Sequence, residues 1–331
     1  MKRIVCFALL LIAAPAFAQT NVRFMHEWRF EGHVAPFLVA QEKGYFKEQG
    51  LNVTVDPGTG SLDSINRTAS GAYDLAVADI NSLIRYRDTP SNTPLKGVMM
   101  VYDSPPFAIL TLKKNGISKP KDLEGKILGA PANDGAYANW PILAKLNNVD
   151  VSKVRIDNVG FPVREALLAQ GKVDAVTAFG SNALGLRANN VAPDEIVTLL
   201  MRNFGMDLYG SAIVANPEFI KTQPKAVAGF IRGLIKGFQE TFRDPEAAID
   251  VLMKRNPIVK REVELARLKT VMEQSYITAE VRANGFGAVD MKRLETSIDQ
   301  LAIAYKFTNR PKAVDVFTNE FLPPREQRLV K

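Results

Sequence analysis

Short apolar runs alternate with longer amphipathic stretches along most of this chain, a pattern that predicts strands alternating with helices. "NVRFMHEW" reads as a strand running into a loop, and "HVAPFLVAQEKG" as a helix with Pro36 in its first turn and Gly44 closing it. "LNVTV" is a second strand, ended by Asp56-Pro57-Gly58. "SLDSINRTAS" follows as a helix with Ser61 as its candidate cap, then "DLAVAD" and "LKGVMMVYD" as strands. From Pro106 the grammar restarts: strands at "FAILTLKK" and "KILGAP", one helix over "DGAYANWPILAKLN", a strand at "KVRIDNVG", a helix at "REALLAQG" and a strand at "KVDAVTAF". "LYGSAIVAN" is again strand-like, and from there the pattern is helical to about Tyr305.

Two of these stretches echo each other. In "SGAYDLAVAD" and "QGKVDAVTAF" a Gly closes a helix, an Asp follows after two intervening residues, and a buried strand begins, so that Gly71 and Asp74 recur as Gly171 and Asp174. The two carboxylates are expected to satisfy the exposed amides of their own turns. A first α/β unit, a second α/β unit and a return into more helices imply two lobes with the chain crossing twice between them. Ligands of open α/β sheets sit beyond the carboxyl ends of the strands. Asp79 and Asn81 after one strand, and Phe179 to Asn182 after the other, are therefore expected on opposite walls of a shared cleft.

The first eighteen residues break the pattern. Lys2 and Arg3, the run "IVCFALLLIAA" and the small-x-small Ala16-Phe17-Ala18 make a secretory leader, removed before Gln19. The expectation is a free, monomeric periplasmic protein of a Gram-negative cell. The only cysteine, Cys6, lies in that leader, which leaves the rest of the chain without a thiol, a disulfide or a thiolate metal site.

With 331 residues, 47 % apolar and 23 % charged, the composition is that of an ordinary globular protein. The formal charge of +7 falls to +5 without Lys2 and Arg3, which leaves 40 basic against 35 acidic residues. No basic run is interleaved with aromatics, which argues against nucleic acid as a partner. No G-x-S-x-G or H-E-x-x-H occurs, and nothing pairs a nucleophile with a base, so a binding protein is favoured over an enzyme and no cofactor is expected.

At this point the residues carry a likeness. Trp28, His33, Ala40, Gly44-Tyr45-Phe46, Gly50-Leu51 and Val53, followed by "GTGS", "SGAYDLAVAD", "KPKDLEGKILGAP", "GKVDAVTAF" and "YGSAIVAN", resemble the bacterial periplasmic solute-binding proteins. The likeness is to the group that takes the thiamine pyrimidine precursor, with relatives for riboflavin, sulfonates and nitrate and with the thiamine-pyrimidine synthases. Where the pyrimidine branch has Asp before the Trp, this chain has Glu27. The resemblance implies an α/β fold of the two-lobe type II periplasmic-binding class, with a double-crossover hinge and a ligand cleft between the lobes. It implies a leader over 1–18, one lobe from 19–108 with 209–331, the other from 109–208, and crossings near Phe107–Leu110 and Asp207–Ser211. The partners it implies are one small-molecule ligand and the membrane permease of an ABC importer with its ATPase. A small aromatic or heteroaromatic nutrient is the expected ligand; riboflavin, an aromatic carboxylate or a sulfonate- or nitrate-type anion are the alternatives.

The candidate ligand-binding residues follow from the loops. Trp28 can stack on a flat ligand, or close the core at a strand end. His33 at a helix start can bond a ligand carbonyl or ring nitrogen, or cap the helix, whereas His26 reads as structural. Gly60 and Ser61 in "GTGSLDS" can offer amides to an anionic or carbonyl oxygen, or form a plain turn. Asn133, Asp134 and Tyr137 open the helix of the second lobe and offer hydrogen bonds and a ring; capping is the alternative for the first two. Asp79 and Asn81 can read an amine or amide or cap a turn, and Phe179 and Asn182 face them. Phe107 and Tyr209, near the crossings, are pocket walls or hinge packing. If Arg29 or Arg164 points into the cleft, an anionic ligand follows.

Overall fold

Ten strands form in a computed structural model that describes residues 19–330: β1 (Thr20–Met25), β2 (Leu51–Asp56), β3 (Leu75–Asp79), β4 (Lys96–Met100), β5 (Phe107–Leu112), β6 (Ile127–Ala130), β7 (Arg155–Asn158), β8 (Ala175–Phe179), β9 (Ile196–Leu200) and β10 (Ser211–Ala215). The expected leader lies outside the described residues. Among those residues, no helix is long and apolar enough to cross a membrane.

The strands assort into two five-stranded sheets of matching topology, β2-β1-β3-β10-β4 and β7-β6-β8-β5-β9. In each, the first three strands are parallel and the strand after them runs antiparallel to both its neighbours. β3, β5, β8 and β10 are central and buried along their whole length, which is why they read as continuous apolar runs. β2 is an edge strand and alternates buried with exposed positions.

The echo in the sequence is an echo in the structure, with a correction. Gly71 and Gly171 end their helices at φ +78° and +69°, the left-handed conformation expected of them. The two aspartates do not serve their own turns. Asp74 accepts the Arg23 amide at 2.7 Å and gives its own amide to the Arg23 carbonyl at 2.9 Å. Asp174 does the same with Ile127, at 2.8 and 2.9 Å. Each pins the start of β3 or β8 to the neighbouring parallel strand, and the registers match: Phe24 opposite Leu75, and Leu128 opposite Ala175.

The chain leaves the first sheet after β4 and enters the second at β5 through residues 101–106, then returns through residues 201–210. Phe107–Leu110 thus lies in a central strand of the second sheet, just past the crossing, and Asp207–Ser211 spans the end of the return.

Four helices and a short one position the cleft loops. Helix α1 (Ala35–Glu42) packs Phe37 against Phe24 of β1, with ring centroids 5.6 Å apart, and against Phe238 of the long helix Pro224–Arg243 at 5.3 Å. That anchor sets the loop 26–34 between β1 and α1. Helix α2 (Ser61–Ala69) is entered through Gly60, not capped by Ser61, whose side chain turns inward. Helix α3 (Ile80–Tyr86) follows β3 directly. The single helix expected over 134–147 is two, α4 (Gly135–Ala138) and α5 (Trp140–Leu146). Pro141 has no amide to donate, so the chain restarts at the Asn139 junction.

Candidate functional site

The strand ends of the two sheets meet. In the first sheet Ser211, opening β10, stands opposite Asp79, closing β3. In the second sheet the equivalent pair is Phe107 and Phe179. One lobe therefore presents a polar strand-end pair and the other an aromatic pair. Between them lies a cavity of about 10 Å³, lined by the carboxyl groups of Glu27 and Asp134, the Ser61 hydroxyl and the rings of Trp28, Phe107 and Phe179. That is the room of about one water, whereas small-molecule sites span about 300–1,000 Å³. Any ring-sized ligand must part the lobes to enter.

The lobes touch around this cavity. The Trp28 ring lies 5.6 Å from that of Phe179, at 16° between planes, and 4.5 Å from Phe161 edge-on. A side-chain carbon placed on Gly60 would stand 2.3 Å from the Asn133 carbonyl oxygen, so only glycine fits there. Gly60 has φ +113°, a second reason for the same residue. Asn139 donates to Asp79 across the cleft at 3.2 Å, and the Arg85 guanidinium donates to the Ala138 carbonyl.

Trp28 is held in place. Its indole N–H donates to Glu31 at 3.1 Å, and Glu31 is paired with Arg267 at 3.3 Å and with Arg29. Both arginines considered for an anionic ligand are engaged with acids, although the buried Nη1 of Arg164 has no hydrogen-bond partner among the described residues. Arg29 is committed to Glu31 at the surface. Arg164 is wholly buried, pairs with Glu165 at 2.6 Å, stands 4.0 Å from Asp134 and lies over the Trp28 ring at 5.3 Å.

The polar side of the cavity is acidic. Glu27 accepts the hydroxyls of Ser61 and Ser211. Burial pushes its carboxyl up to about 7; the two serine hydrogen bonds pull the other way, and the charges of Asp79 and Asp134 push it further up. Asp79 and Asp134 are also raised, first by burial, with Arg85 and Arg164 as their respective counter-charges. His26 and His33 are buried and held well below the usual histidine range by burial. Neither ring nitrogen of His33 has a hydrogen-bond partner, and its ring packs against Trp28 and Phe179 behind the cavity.

Of the residues singled out in the sequence, Trp28, Gly60, Ser61, Phe107, Asp134 and Phe179 line the cavity. Asp79 sits one layer behind, taking the Ser82 and Asn81 amides at the start of α3 while its own amide donates to Ser61. The others stand apart from the cavity. Asn81 donates to Asp79 and to the Tyr209 carbonyl, and Asn182 accepts the Phe179 amide. Asn133 is exposed and Tyr137 half-buried. Tyr209 packs its ring beneath Arg293 at 4.1 Å and its hydroxyl takes the Asp290 amide. Sequence reasoning missed Glu27 as a cleft carboxylate, although it precedes Trp28, and missed Ser211. A larger cavity of about 690 Å³ lies between helix Pro224–Arg243 and residues 323–330, on the outer face of the first lobe. It lacks the convergence of strand ends and buried acids that marks the small one. Among the described residues no group of His, Cys, Asp and Glu is arranged to hold a metal ion.

Residues 31–248 match the protein-family model described as NMT1/THI5 like. Over its length the chain is 28 % identical to the formylaminopyrimidine-binding protein of Halalkalibacterium halodurans, covering 94 % of this chain and 96 % of that one. It is 26 % identical to the riboflavin-binding protein RibY of Chloroflexus aurantiacus, over 87 % and 82 % of the two chains. It is 22 % identical to the 4-amino-5-hydroxymethyl-2-methylpyrimidine phosphate synthase of Legionella pneumophila, over 92 % and 93 %. Among solved structures, the alkanesulfonate-binding protein SsuA of Xanthomonas axonopodis pv. citri superposes with a TM-score of 0.69 at 14 % identity, covering 92 % of this chain and 98 % of that one. The nitrate-binding protein NrtA of Synechocystis PCC 6803 gives 0.70 at 14 %, over 92 % and 87 %. The fold is therefore the two-lobe periplasmic-binding-protein fold.

Proposed function

Because this chain belongs to the NMT1/THI5-like family, we propose that it is the solute-binding component of an ABC importer and captures a small nitrogen heterocycle of the thiamine-pyrimidine type between its lobes. The observation that carries this reading is the composition of the cavity: flat rings on Trp28 and Phe179, and buried carboxylates on Glu27 and Asp134. A planar heterocycle with N–H groups satisfies both. Its faces gain burial and offset stacking, and its N–H edge donates charge-assisted hydrogen bonds. Admitting it parts the contacts of Gly60 with Asn133, of Asp79 with Asn139 and of Arg85 with Ala138, and the lobes then close on the ligand. The closed form, monomeric and periplasmic, then delivers the ligand to the membrane permease and its ATPase.

Two relatives differ in what their names bind, a formylaminopyrimidine and riboflavin. Both are flat N–H donors, and the smaller suits a cleft whose closed form leaves so little room. Sulfonate, nitrate and carboxylate ligands fit poorly, since they would set a negative charge beside three buried carboxyl groups while Arg29 and Arg164 are already paired. The relatives include a pyrimidine phosphate synthase; against an enzyme of that kind here stands the absence of any cysteine after Cys6.

The test is calorimetry and thermal shift on residues 19–331 with 4-aminopyrimidines, riboflavin, benzoate, alkanesulfonates and nitrate. A ligand present at a hundred times its Kd stabilises by about 2.7 kcal/mol. Tight binding of a sulfonate or nitrate in place of the heterocycles would overturn the ligand class, and turnover of any of them by purified protein would overturn the receptor reading.

A further inference from the structure

Three carboxyl groups converge on the cleft, and only two have a cation. Asp79 has Arg85 and Asp134 has Arg164. Glu27 is 3 % exposed, and among the described residues no ion pair reaches it. Its two oxygens take one serine hydroxyl each, and Ser61 is fixed in that role because its own lone pair receives the Asp79 amide at 3.1 Å. Two neutral donors stabilise a carboxylate but do not offset the loss of water around an unpaired buried charge.

The groups that face Glu27 add no cation. Asp79 comes from the end of β3 and Asp134 from ahead of α4, both acidic. Tyr102, in the first crossing, and Tyr276, in the turn Met272–Tyr276, feel its charge and are held in the neutral form. His26 and His33, on its own loop, are neutral by burial. Arg85 on α3 and Arg164 on the helix Arg164–Ala169 serve the other two acids.

We propose that Glu27 is the specificity-determining residue of the cleft: the ligand supplies its missing counter-charge, and Glu27 gives up a proton for the ligand to bind. This rests on the small-molecule receptor reading above and adds to it a gate. The closed protein keeps Glu27 protonated below neutrality, consistent with a carboxyl raised to about 7. A cationic or strongly N–H-donating planar ligand binds the ionised form, so affinity rises with pH until Glu27 is ionised without help and then levels off. Anions are refused on either side of that midpoint.

The experiment uses benzamidine as the probe, a planar aromatic cation whose charge is constant across the range, with benzamide as its neutral isostere and benzoate as the anion. Calorimetry from pH 5.5 to 8.5, in buffers of differing ionisation heat, counts the protons released. The expected result is benzamidinium affinity rising about tenfold per pH unit below 7 and flattening above it, with about one proton released at the acid end. Benzamide shows a shallower rise and benzoate none. In Glu27→Gln the benzamidinium affinity is low and flat. In Ser211→Ala, which removes one donor to the carboxylate, the midpoint moves to higher pH, a shift that a purely structural role for Glu27 would not produce. A flat profile in the unaltered protein, or an intact slope in Glu27→Gln, overturns the proposal; so does preference for benzoate. A ligand-free control separates this from the receptor reading. Tryptophan fluorescence of the protein alone should titrate with a midpoint near 7 that disappears in Glu27→Gln. If that midpoint is absent, the gate is wrong whatever binds; if it is present and no heterocycle or benzamidine binds, the receptor reading is what fails.

Discussion

Trp28 and Phe179 come from opposite lobes and lie nearly parallel, with ring centroids 5.6 Å apart and 16° between the ring planes. Trp28 leaves β1, Phe179 ends β8, and Glu31 fixes the indole from behind. A flat ligand that enters between them exchanges one aromatic contact for two. Trp28→Ala should therefore weaken heterocycle binding by about 30- to 300-fold, from lost area and stacking together, and Trp28→Phe by much less. Isothermal calorimetry on both variants decides this; a loss below threefold for the alanine variant would remove Trp28 from the site.

Only two tryptophans are present, Trp28 and Trp140, and the second is buried in α5 away from the cavity. Trp140→Phe leaves Trp28 as the sole indole reporter of the cleft. Saturating ligand should change the fluorescence of that variant and leave a Trp28→Phe variant, which keeps only Trp140, nearly unchanged. Equal responses from both would mean that the ligand acts elsewhere.

Much of the architecture was legible because its signals are local. β3, β5, β8 and β10 are apolar throughout since both their faces are covered, and a six-residue window suffices to see it. The matching Gly71-Asp74 and Gly171-Asp174 were visible too, but the partners of the aspartates were not. Arg23 lies 51 residues from Asp74, and Ile127 lies 47 from Asp174. The site divides the same way. Trp28, Phe107 and Phe179 are large rings at strand ends, which local pattern picks out. Glu27 looks like any charged residue in a loop, and it becomes a cleft carboxylate only when Ser211, 184 residues away, comes to lie against it. Asn81 and Asn182 were placed beside the correct strands and proved to spend their side chains on Asp79, Tyr209 and Phe179. Sequence does not distinguish an amide that reads a ligand from one that closes a turn.

The strand pins should carry stability and not affinity. Asp74→Ala and Asp174→Ala each leave a strand amide without its acceptor, at a cost of about 1–2 kcal/mol. They act on separate sheets and share no partner, so the double variant should be additive within about 0.5 kcal/mol. Urea denaturation measures both, with ligand affinity expected to stay within twofold.

Closure depends on the missing side chain at Gly60. An added methyl carbon would stand 2.3 Å from the Asn133 carbonyl oxygen of the facing lobe, a distance no relaxation of a side chain can relieve. Gly60→Ala should hold the lobes apart. Small-angle scattering would show a larger radius of gyration with ligand than the unaltered protein has, and affinity should fall at least about tenfold as the closed state becomes less populated. Gly135→Ala, which meets Ser61 at 3.0 Å and the Asp79 side chain at 3.1 Å, should do the same more weakly. Since φ at Gly60 is +113°, part of any loss of stability in Gly60→Ala is backbone strain. Scattering in the presence of ligand separates that from blocked closure, because strain alone leaves the closed radius intact.

Glu27 makes the stability of the ligand-free protein depend on pH in a defined direction. Its carboxyl titrates at about 7 in the fold and at about 4.5 when the chain is unfolded. Between those values the folded protein holds a proton that the unfolded chain has released, so stability falls as pH rises through the interval and is level on either side. Over about 2.5 pH units this amounts to about 3 kcal/mol. His26 and His33 act oppositely, since they stay neutral in the fold and take up protons when unfolded below about 6.5, while the raised Asp79 and Asp134 act in the same direction as Glu27, so the raw profile mixes all of these groups. The difference between Glu27→Gln and the unaltered protein isolates the carboxyl, because the other groups are common to both. Glu27→Gln should gain about 3 kcal/mol relative to the unaltered protein as pH rises from 4.5 to above 7, read from paired urea denaturations at each pH. A difference that stays constant across that range would mean that Glu27 ionises as freely in the fold as in water, and that the unpaired buried charge on which the gate depends does not exist.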